Sequence, residues 1–360
     1  MKEFYCNTRI VSGTGTISAL KKLGAKRLLL VSDPYFTANG TAARVVAASG
    51  AEQTKIFDNI MPDPTVTLAA EGTALVKEFQ PDVICALGGG SAIDCAKAMA
   101  YFSGLPVRLA AIPTTSGSGS EVTDFAVLTH NGVKHPLVDR RLQPELAILD
   151  DELLKNLPSS LVADTGFDVL SHALEAYVAR DATPITDALA KDAFCTAFGS
   201  LPASFAGRQE VRLSIHTAST MAGMAFTQAG LGLCHALAHS LGGVFHLPHG
   251  RLNGVLLPAV VGVNAHAAGA KYAKLSRAAG FGGSVDTLAV RNLRNGLVRL
   301  RNDLKMPGTL VQAGVDPRRL WREMDAIVKT TLEDPCCQTN PMPVEDFLVR
   351  KILEEVTGRV

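Results

Sequence analysis

The chain lacks the features that mark several common kinds of protein. It has one tryptophan and 6% aromatic residues, and its 35 basic residues are matched by 34 acidic ones. A formal net charge of +1 gives no electrostatic footprint for nucleic acid or an anionic membrane. Apolar runs such as Leu28-Leu29-Leu30-Val31 fall far short of the roughly 20 residues a bilayer span needs, so no membrane partner is expected. The first residues show no apolar signal core, and a cytoplasmic location is expected. Seven cysteines, an odd number, are scattered without a spacing framework, which fits a reduced compartment and excludes a disulfide-stapled scaffold. The adjacent pair Cys336-Cys337 is poorly placed for a disulfide or a shared metal and reads as ordinary thiols. Internal repeats, coiled-coil heptads, low-complexity tracts and charge blocks are all missing.

What is present is length and apolar content. With 360 residues, 47% of them hydrophobic, there is room for two domains and a sizeable core. The first part alternates strand and helix signals. Residues 26–32, 83–87 and 109–112 are short unalternating apolar runs, the pattern of parallel strands buried on both faces. Helical periodicity over 66–79 and 92–102 separates them, and residues 146–149 form a last strand. This predicts an α/β N-terminal domain over 1–155, a parallel sheet of the Rossmann-like, nucleotide-binding kind. Beyond it strand signals nearly vanish. Ala-rich helical stretches at 161–179, 185–198, 211–228, 232–241, 252–264, 270–279 and 288–304 predict an all-α C-terminal domain over 156–360. The sole tryptophan, Trp321, is expected in its core.

Two loops follow predicted strands. Gly88-Gly89-Gly90-Ser91 joins a strand to a helix. Glycines there let a phosphate approach the backbone, and the helix N-terminus supplies N–H groups and positive dipole. Thr114-Thr115-Ser116-Gly117-Ser118-Gly119-Ser120 follows the next strand. Loops at the carboxyl ends of parallel strands are where open α/β sheets bind ligands. Asp33 ends the first strand of the nucleotide fold. A carboxylate there accepts from a ribose 2′-OH and repels a 2′-phosphate, which favours NAD(H); it also suits a turn before Pro34.

Four of the nine histidines fall between Gly232 and Gly250. His235 and His239, spaced i, i+4, share one helix face. That helix is expected to stop near Gly242-Gly243, with Pro248 breaking the chain before His249 so that a turn can bring His249 back. Asp168 and His172 repeat the i, i+4 spacing in an earlier helical stretch. Imidazole is the commonest metal ligand, and three such histidines with a carboxylate can enclose one divalent ion. Asp164, one turn before Asp168, shares that face. An Asp-plus-imidazole set without thiolate suits Fe²⁺ or Zn²⁺. Cys234 is turned about 100° from His235 on the helix and should face away.

The series Asp168-x-x-x-His172, then His235-x-x-x-His239, then Pro248-His249-Gly250-x-x-Asn253 resembles the iron-containing (group III) alcohol dehydrogenase family. Order and spacing agree, and the resemblance runs from the N-terminal strand to Asp334-Pro335. It implies Asp168, His172, His235 and His249 as ligands of Fe²⁺, with Zn²⁺ possible. It places His239 beside the reacting centre, where it is a candidate to relay the alcohol proton. It implies pyrophosphate binding by Gly89, Gly90 and Ser91, contacts to pyrophosphate and nicotinamide ribose from Thr114, Thr115 and Ser118, and a cofactor-side lysine at Lys134. The implied activity is metal-assisted hydride transfer between NAD(H) and a small alcohol or aldehyde in a homodimer. The likeness is greatest to the short propanol dehydrogenases of propanediol utilisation, in T-G-F-D-V-L-S-H-A-L-E-A, A-S-T-M-A-G-M-A-F-T-Q-A-G-L-G-L and F-H-L-P-H-G. It departs at Gly254, where the family usually has Ala, and at Arg251. Two other readings stay open: a lyase on the same fold, similar to dehydroquinate synthase, and a non-catalytic metal-stabilised binding protein.

Overall fold

A computed structural model of the chain describes residues 3–130 and 133–358. The fold divides into two compact units, one of Tyr5–Leu157 and one beginning at Pro158.

The first unit is built on six strands: β1 (Arg9–Ser12), β2 (Arg27–Ser32), β3 (Gln53–Phe57), β4 (Val83–Gly88), β5 (Arg108–Pro113) and β8 (Leu146–Leu149). All pairings among them are parallel, in the order β1-β8-β5-β4-β2-β3. Alternate residues face opposite sides, as a period of two requires. Leu28, Leu30, Val83, Cys85, Leu87, Ala110 and Ile112 enter one core, and Leu29, Val31, Ile84, Ala86, Leu109 and Ala111 enter the other. Both faces are therefore apolar, which is why these strands read as unbroken hydrophobic runs. Helices α1 (Pro34–Ala38), α2 (Thr41–Ser49), α3 (Val66–Phe79) and α4 (Gly90–Ser103) cover the sheet. A separate antiparallel hairpin, β6 (Phe125–His130) and β7 (Val133–Val138), had no counterpart in the periodicity argument. After β3 the chain returns past β2 to β4, so the switch point lies between the neighbouring strands β2 and β4, at their carboxyl ends.

Among its described residues the second unit is helical: α5 (Ser159–Val178), α6 (Pro184–Phe205), α7 (Arg212–Ala229), α8 (Leu233–Phe245), α9 (His249–Ala278), α10 (Asp286–Asp303), α11 (Pro317–Glu333), α12 (Cys336–Thr339) and α13 (Asp346–Thr357). Three expectations need correcting. Helix α8 runs through Gly242-Gly243 and stops at Phe245, because the left-handed residue that ends it is His246, at φ 55°. The stretches 252–264 and 270–279 are one helix of 30 residues, although Pro258 sits inside it. Trp321 is 50% exposed, on the outer face of α11, and is no core residue. Helix α9 is long and apolar enough to cross a membrane by length and composition alone, but 72% of its most apolar stretch is buried inside the protein, the mark of a core helix.

Candidate metal centre and dinucleotide loops

Two helices and one helix start carry the histidine–carboxylate cluster. Helix α5 presents Asp168 and His172 one turn apart, both buried. Helix α8 presents His235 and His239. The chain then leaves α8 through His246, and Pro248 caps α9, which makes His249 its first residue. Pro248 ends one direction and presets the next, as the expected turn required. Gly250 lets the two helices touch: a Cβ there would lie 2.0 Å from the Asp164 carbonyl oxygen and 3.3 Å from the Asp168 Cβ. Only hydrogen fits, and the start of α9 is pressed onto α5 with His249 beside Asp168.

The donor atoms converge on the Asp168 carboxylate. Its Oδ1 lies 3.5 Å from His249 Nε2, 3.9 Å from His235 Nε2 and 4.0 Å from His172 Nε2. Asp168, His235 and His249 offer ligand atoms that all lie within 4.8 Å of one another. Ligands about 2.0–2.2 Å from one ion stand at most roughly 4.4 Å apart, so the set fits a single first-row divalent ion with small side-chain adjustments. His172 joins at its Nε2 and is stacked between Phe226, at 4.4 Å, and His235, at 4.5 Å. Burial, reinforced by His172 and His239, holds His235 well below the usual imidazole range, which keeps it neutral and able to ligate.

Glu175 and Asn253 support this cluster, and no role was assigned to either from sequence. Glu175 Oε2 lies 2.6 Å from His235 Nδ1, which fixes the proton on Nδ1 and leaves Nε2 for a metal. The same carboxylate accepts from the backbone N–H groups of Gly232, at 2.9 Å, and Cys234, at 2.7 Å, and so caps α8. Burial pushes Glu175 up to about 7, while those N–H groups pull it down. Asn253 Nδ2 donates to Asp168 Oδ1 at 2.9 Å. Glu175 was visible in principle: Asp168, His172 and Glu175 follow i, i+4, i+7 on one face.

His239 stacks on His249 with ring centroids 5.1 Å apart. Its Nδ1 lies 2.9 Å from Asp334 Oδ2, so the basic nitrogen of the neutral ring is Nε2. Cys336 completes a second close group with His239 and Asp334, and burial and Asp334 push its thiol well above the usual range. Cys234 Sγ donates to Asn253 Oδ1 at 3.5 Å. Asp164 pairs with Arg251, at 2.9 Å, which gives both residues a partner on the α5–α9 contact. Gly254 packs on Met306 and Phe167, where a Cβ would meet Met306 Cε at 2.8 Å.

In the first unit, the loop residues gather at the carboxyl ends of β2, β4 and β5. Gly88, at φ 155°, leaves β4, Gly89 is the N-cap of α4, and the helix begins at Gly90. Its first-turn N–H groups have no intrahelical acceptor. The Thr114 N–H donates to the Gly88 carbonyl at 3.0 Å, which ties the second loop to the first. A Cβ on Gly89 would come within 3.1 Å of Thr115 Oγ1, and one on Gly90 within 3.0 Å of Ser118. The far end of the second loop is held by Lys97, whose buried ammonium donates to Ser120 Oγ, Thr123 O, Thr123 Oγ1 and Phe125 O at 2.8–3.1 Å. Asp33 Oδ1 accepts from Tyr35 N at 3.0 Å as the N-cap of α1, and its Oδ2 faces Gly88. The turn role of Asp33 is thus present, and one oxygen remains at the strand ends. Lys134 pairs with Asp63 at 2.8 Å; burial raises the Asp94 carboxyl of α4, and Lys97 and Lys134 act against that rise.

A family model described as iron-containing alcohol dehydrogenase matches residues 7–151, and one for the C-terminal part of the Fe-containing alcohol dehydrogenase family matches residues 162–357. The chain belongs to the iron-containing alcohol dehydrogenase family. It is 39% identical to 1-propanol dehydrogenase PduQ of Citrobacter freundii, over 99% of this chain and all of that one. It is 34% identical to the NADPH-dependent butanol dehydrogenase of Clostridium saccharobutylicum, over 98% of this chain and 97% of that one. Among solved structures, the iron-containing alcohol dehydrogenase of Thermococcus thioreducens superposes with a TM-score of 0.91 at 32% identity, covering 98% of this chain and 99% of that one. A 1,3-propanediol oxidoreductase superposes with 0.93 at 31% identity, covering 99% and 100%. An iron-containing alcohol dehydrogenase therefore shares this fold over its whole length.

Proposed function

We propose that the chain interconverts a small aliphatic primary alcohol and its aldehyde, such as 1-propanol and propionaldehyde, using NAD(H) and Fe²⁺ held by Asp168, His172, His235 and His249. The observation that carries this reading is the convergence of three imidazole nitrogens on the Asp168 carboxylate, backed by Glu175 and Asn253. Fe²⁺ in such a set supplies Lewis acidity to the alcohol or aldehyde oxygen, and the nicotinamide carries the hydride. Zn²⁺ fits the same donors; four protein ligands favour iron, which keeps open positions more readily than tetrahedral zinc.

The remaining chemistry belongs to the side chains. Glu175 holds His235 in the ligating tautomer, and Asn253 holds Asp168 in place. His239, with Nδ1 on Asp334 and 28% of its side chain exposed, takes the alcohol proton at Nε2 and passes it to solvent. The Gly89–Ser91 and Thr114–Ser118 loops bind the pyrophosphate and nicotinamide ribose through backbone N–H groups and hydroxyls, with Lys134 on the cofactor side. Asp33 Oδ2 accepts from the 2′-OH of NAD(H) and repels a 2′-phosphate. A relative in the same fold, the sulfoacetaldehyde reductase of Bifidobacterium kashiwanohense at 26% identity, was solved with NAD⁺, whereas the butanol dehydrogenase above is named for NADPH. We assign the dinucleotide domain to 1–155, the metal- and substrate-binding domain to 156–360, a cytoplasmic location and a homodimer. The test is kcat/KM for a series of straight-chain aldehydes against hydroxylated and charged ones, with NADH and with NADPH. The expected maximum is at propionaldehyde with NADH; a tenfold preference for a charged aldehyde, about 1.4 kcal/mol, contradicts the substrate assignment.

A further inference from the structure

Helix α9 contains Pro258, and proline has no N–H. The carbonyl four residues earlier, that of Gly254, therefore loses its helical donor. Arg301 of α10 answers this gap, and Arg294 of α10 reaches the carbonyl of Pro258 itself. Arg301 Nη1 donates to the Gly254 carbonyl at 3.4 Å, and Arg294 Nε donates to the Pro258 carbonyl at 2.8 Å. Arg294 Nη2 also pairs with Glu355 at 3.2 Å.

Arg301 is not accounted for. It is 8% exposed, and among the described residues its one side-chain hydrogen bond is the long one to Gly254, while its Nε is buried with no acceptor. Among the described residues no carboxylate stands within ion-pair distance of it. A guanidinium does not shed its proton to escape burial, so the charge stays and asks for an anion. Burial draws its pKa down, the direction an uncompensated cation shows.

Arg301 lines a cavity of about 280 Å³ that Arg291, Arg294, Asn295 and Gly308 also line. Gly308 leaves room beside the guanidinium: a Cβ there would sit 3.4 Å from Arg301 Nη2. Glu355 is the only carboxylate in the lining, so three guanidiniums against one carboxylate leave two positive charges. We propose that this cavity is an anion site for a phosphate dianion, free or as a monoester, held by Arg301, Arg291 and Arg294. Planar guanidiniums match the edge of a phosphate with paired N–H groups. Every lining residue lies between Val255 and Val356, so the site shares no residue with the dinucleotide loops.

The test is calorimetric titration of inorganic phosphate into metal-loaded, NADH-saturated enzyme, at constant ionic strength with chloride as the reference. Saturation with NADH keeps the glycine loops occupied. One phosphate should bind, Arg301→Met should weaken it at least tenfold, and Arg291→Ala, at an exposed position, should weaken it without lowering Tm. Should Arg301→Met fail to fold, Arg291→Ala decides alone. Tighter binding of glycerol 3-phosphate than of inorganic phosphate would identify a phosphorylated metabolite as the ligand, and the reverse would identify the free ion. Equal phosphate affinity in the parent and the Arg291 variant, or no binding beyond that of chloride, overturns the proposal.

Discussion

The two units build their sites from opposite materials. In the first, the loops after β4 and β5 are shaped by what is missing: Gly88, Gly89 and Gly90 have no side chains, and the groups on offer are backbone N–H and short hydroxyls. In the second, the site is made entirely of long side chains aimed inward from α5, α8 and the start of α9. A backbone site is specified by turn geometry and close approach. A side-chain site is specified by helix phase and by the buried partners that hold each ring. The two should therefore fail independently, one losing cofactor and the other losing metal.

The largest effect should come from Asp168→Ala, which removes the carboxylate on which three imidazoles converge. Iron content should fall to background and turnover by roughly a thousandfold or more, since the metal supplies several kcal/mol of charge stabilisation. NADH affinity, measured by fluorescence quenching, should not change; a parallel loss of NADH would break the comparison. Glu175→Gln keeps the shape but loses the negative charge on His235 Nδ1. Iron affinity should drop about 10–100-fold, read by competition with a chelator, and an unchanged affinity would remove Glu175 from the support of the site.

On the other side, Gly90→Ala places a methyl 3.0 Å from Ser118. The NADH dissociation constant should rise about tenfold, or about 1.4 kcal/mol, with iron content unaltered. Smallest of all should be Asp33→Asn. Asparagine caps a helix as well as aspartate does, so Tm should hold while the NADPH-to-NADH ratio of kcat/KM rises a few-fold. An unaltered ratio would leave Asp33 as a cap alone.

The histidine–carboxylate cluster was legible in the sequence because its members obey helix spacing: Asp168 with His172, and His235 with His239. Helix phase is a local property, and local properties can be read from one chain. His249 was legible through Pro248, which forces the turn. Asp334 was not, because it meets His239 from a distant helix end, and no local pattern encodes that contact. The fold shows the same division. Strands buried on both faces announce themselves, as Leu28 to Val31 do, but the short edge strand Gln53–Phe57 and the β6–β7 hairpin do not. Local rules also misjudged where helices end. Gly242-Gly243 is no stop, because the left-handed residue comes later at His246, and Pro258 is no break, because Arg294 and Arg301 of α10 satisfy carbonyls along α9. These are tertiary compensations, and they become visible only when the partner helix is in place.

The metal dependence of turnover tests the proposed chemistry most directly. The enzyme would be stripped with a chelator, reloaded under anaerobic conditions with Fe²⁺ or with Zn²⁺, and followed by NADH absorbance with propionaldehyde. Iron should restore NADH oxidation in the parent and not in Asp168→Ala. Metal-free enzyme that oxidises NADH at the reloaded rate, or iron-loaded enzyme that binds NADH tightly and reduces no short aldehyde, would contradict it.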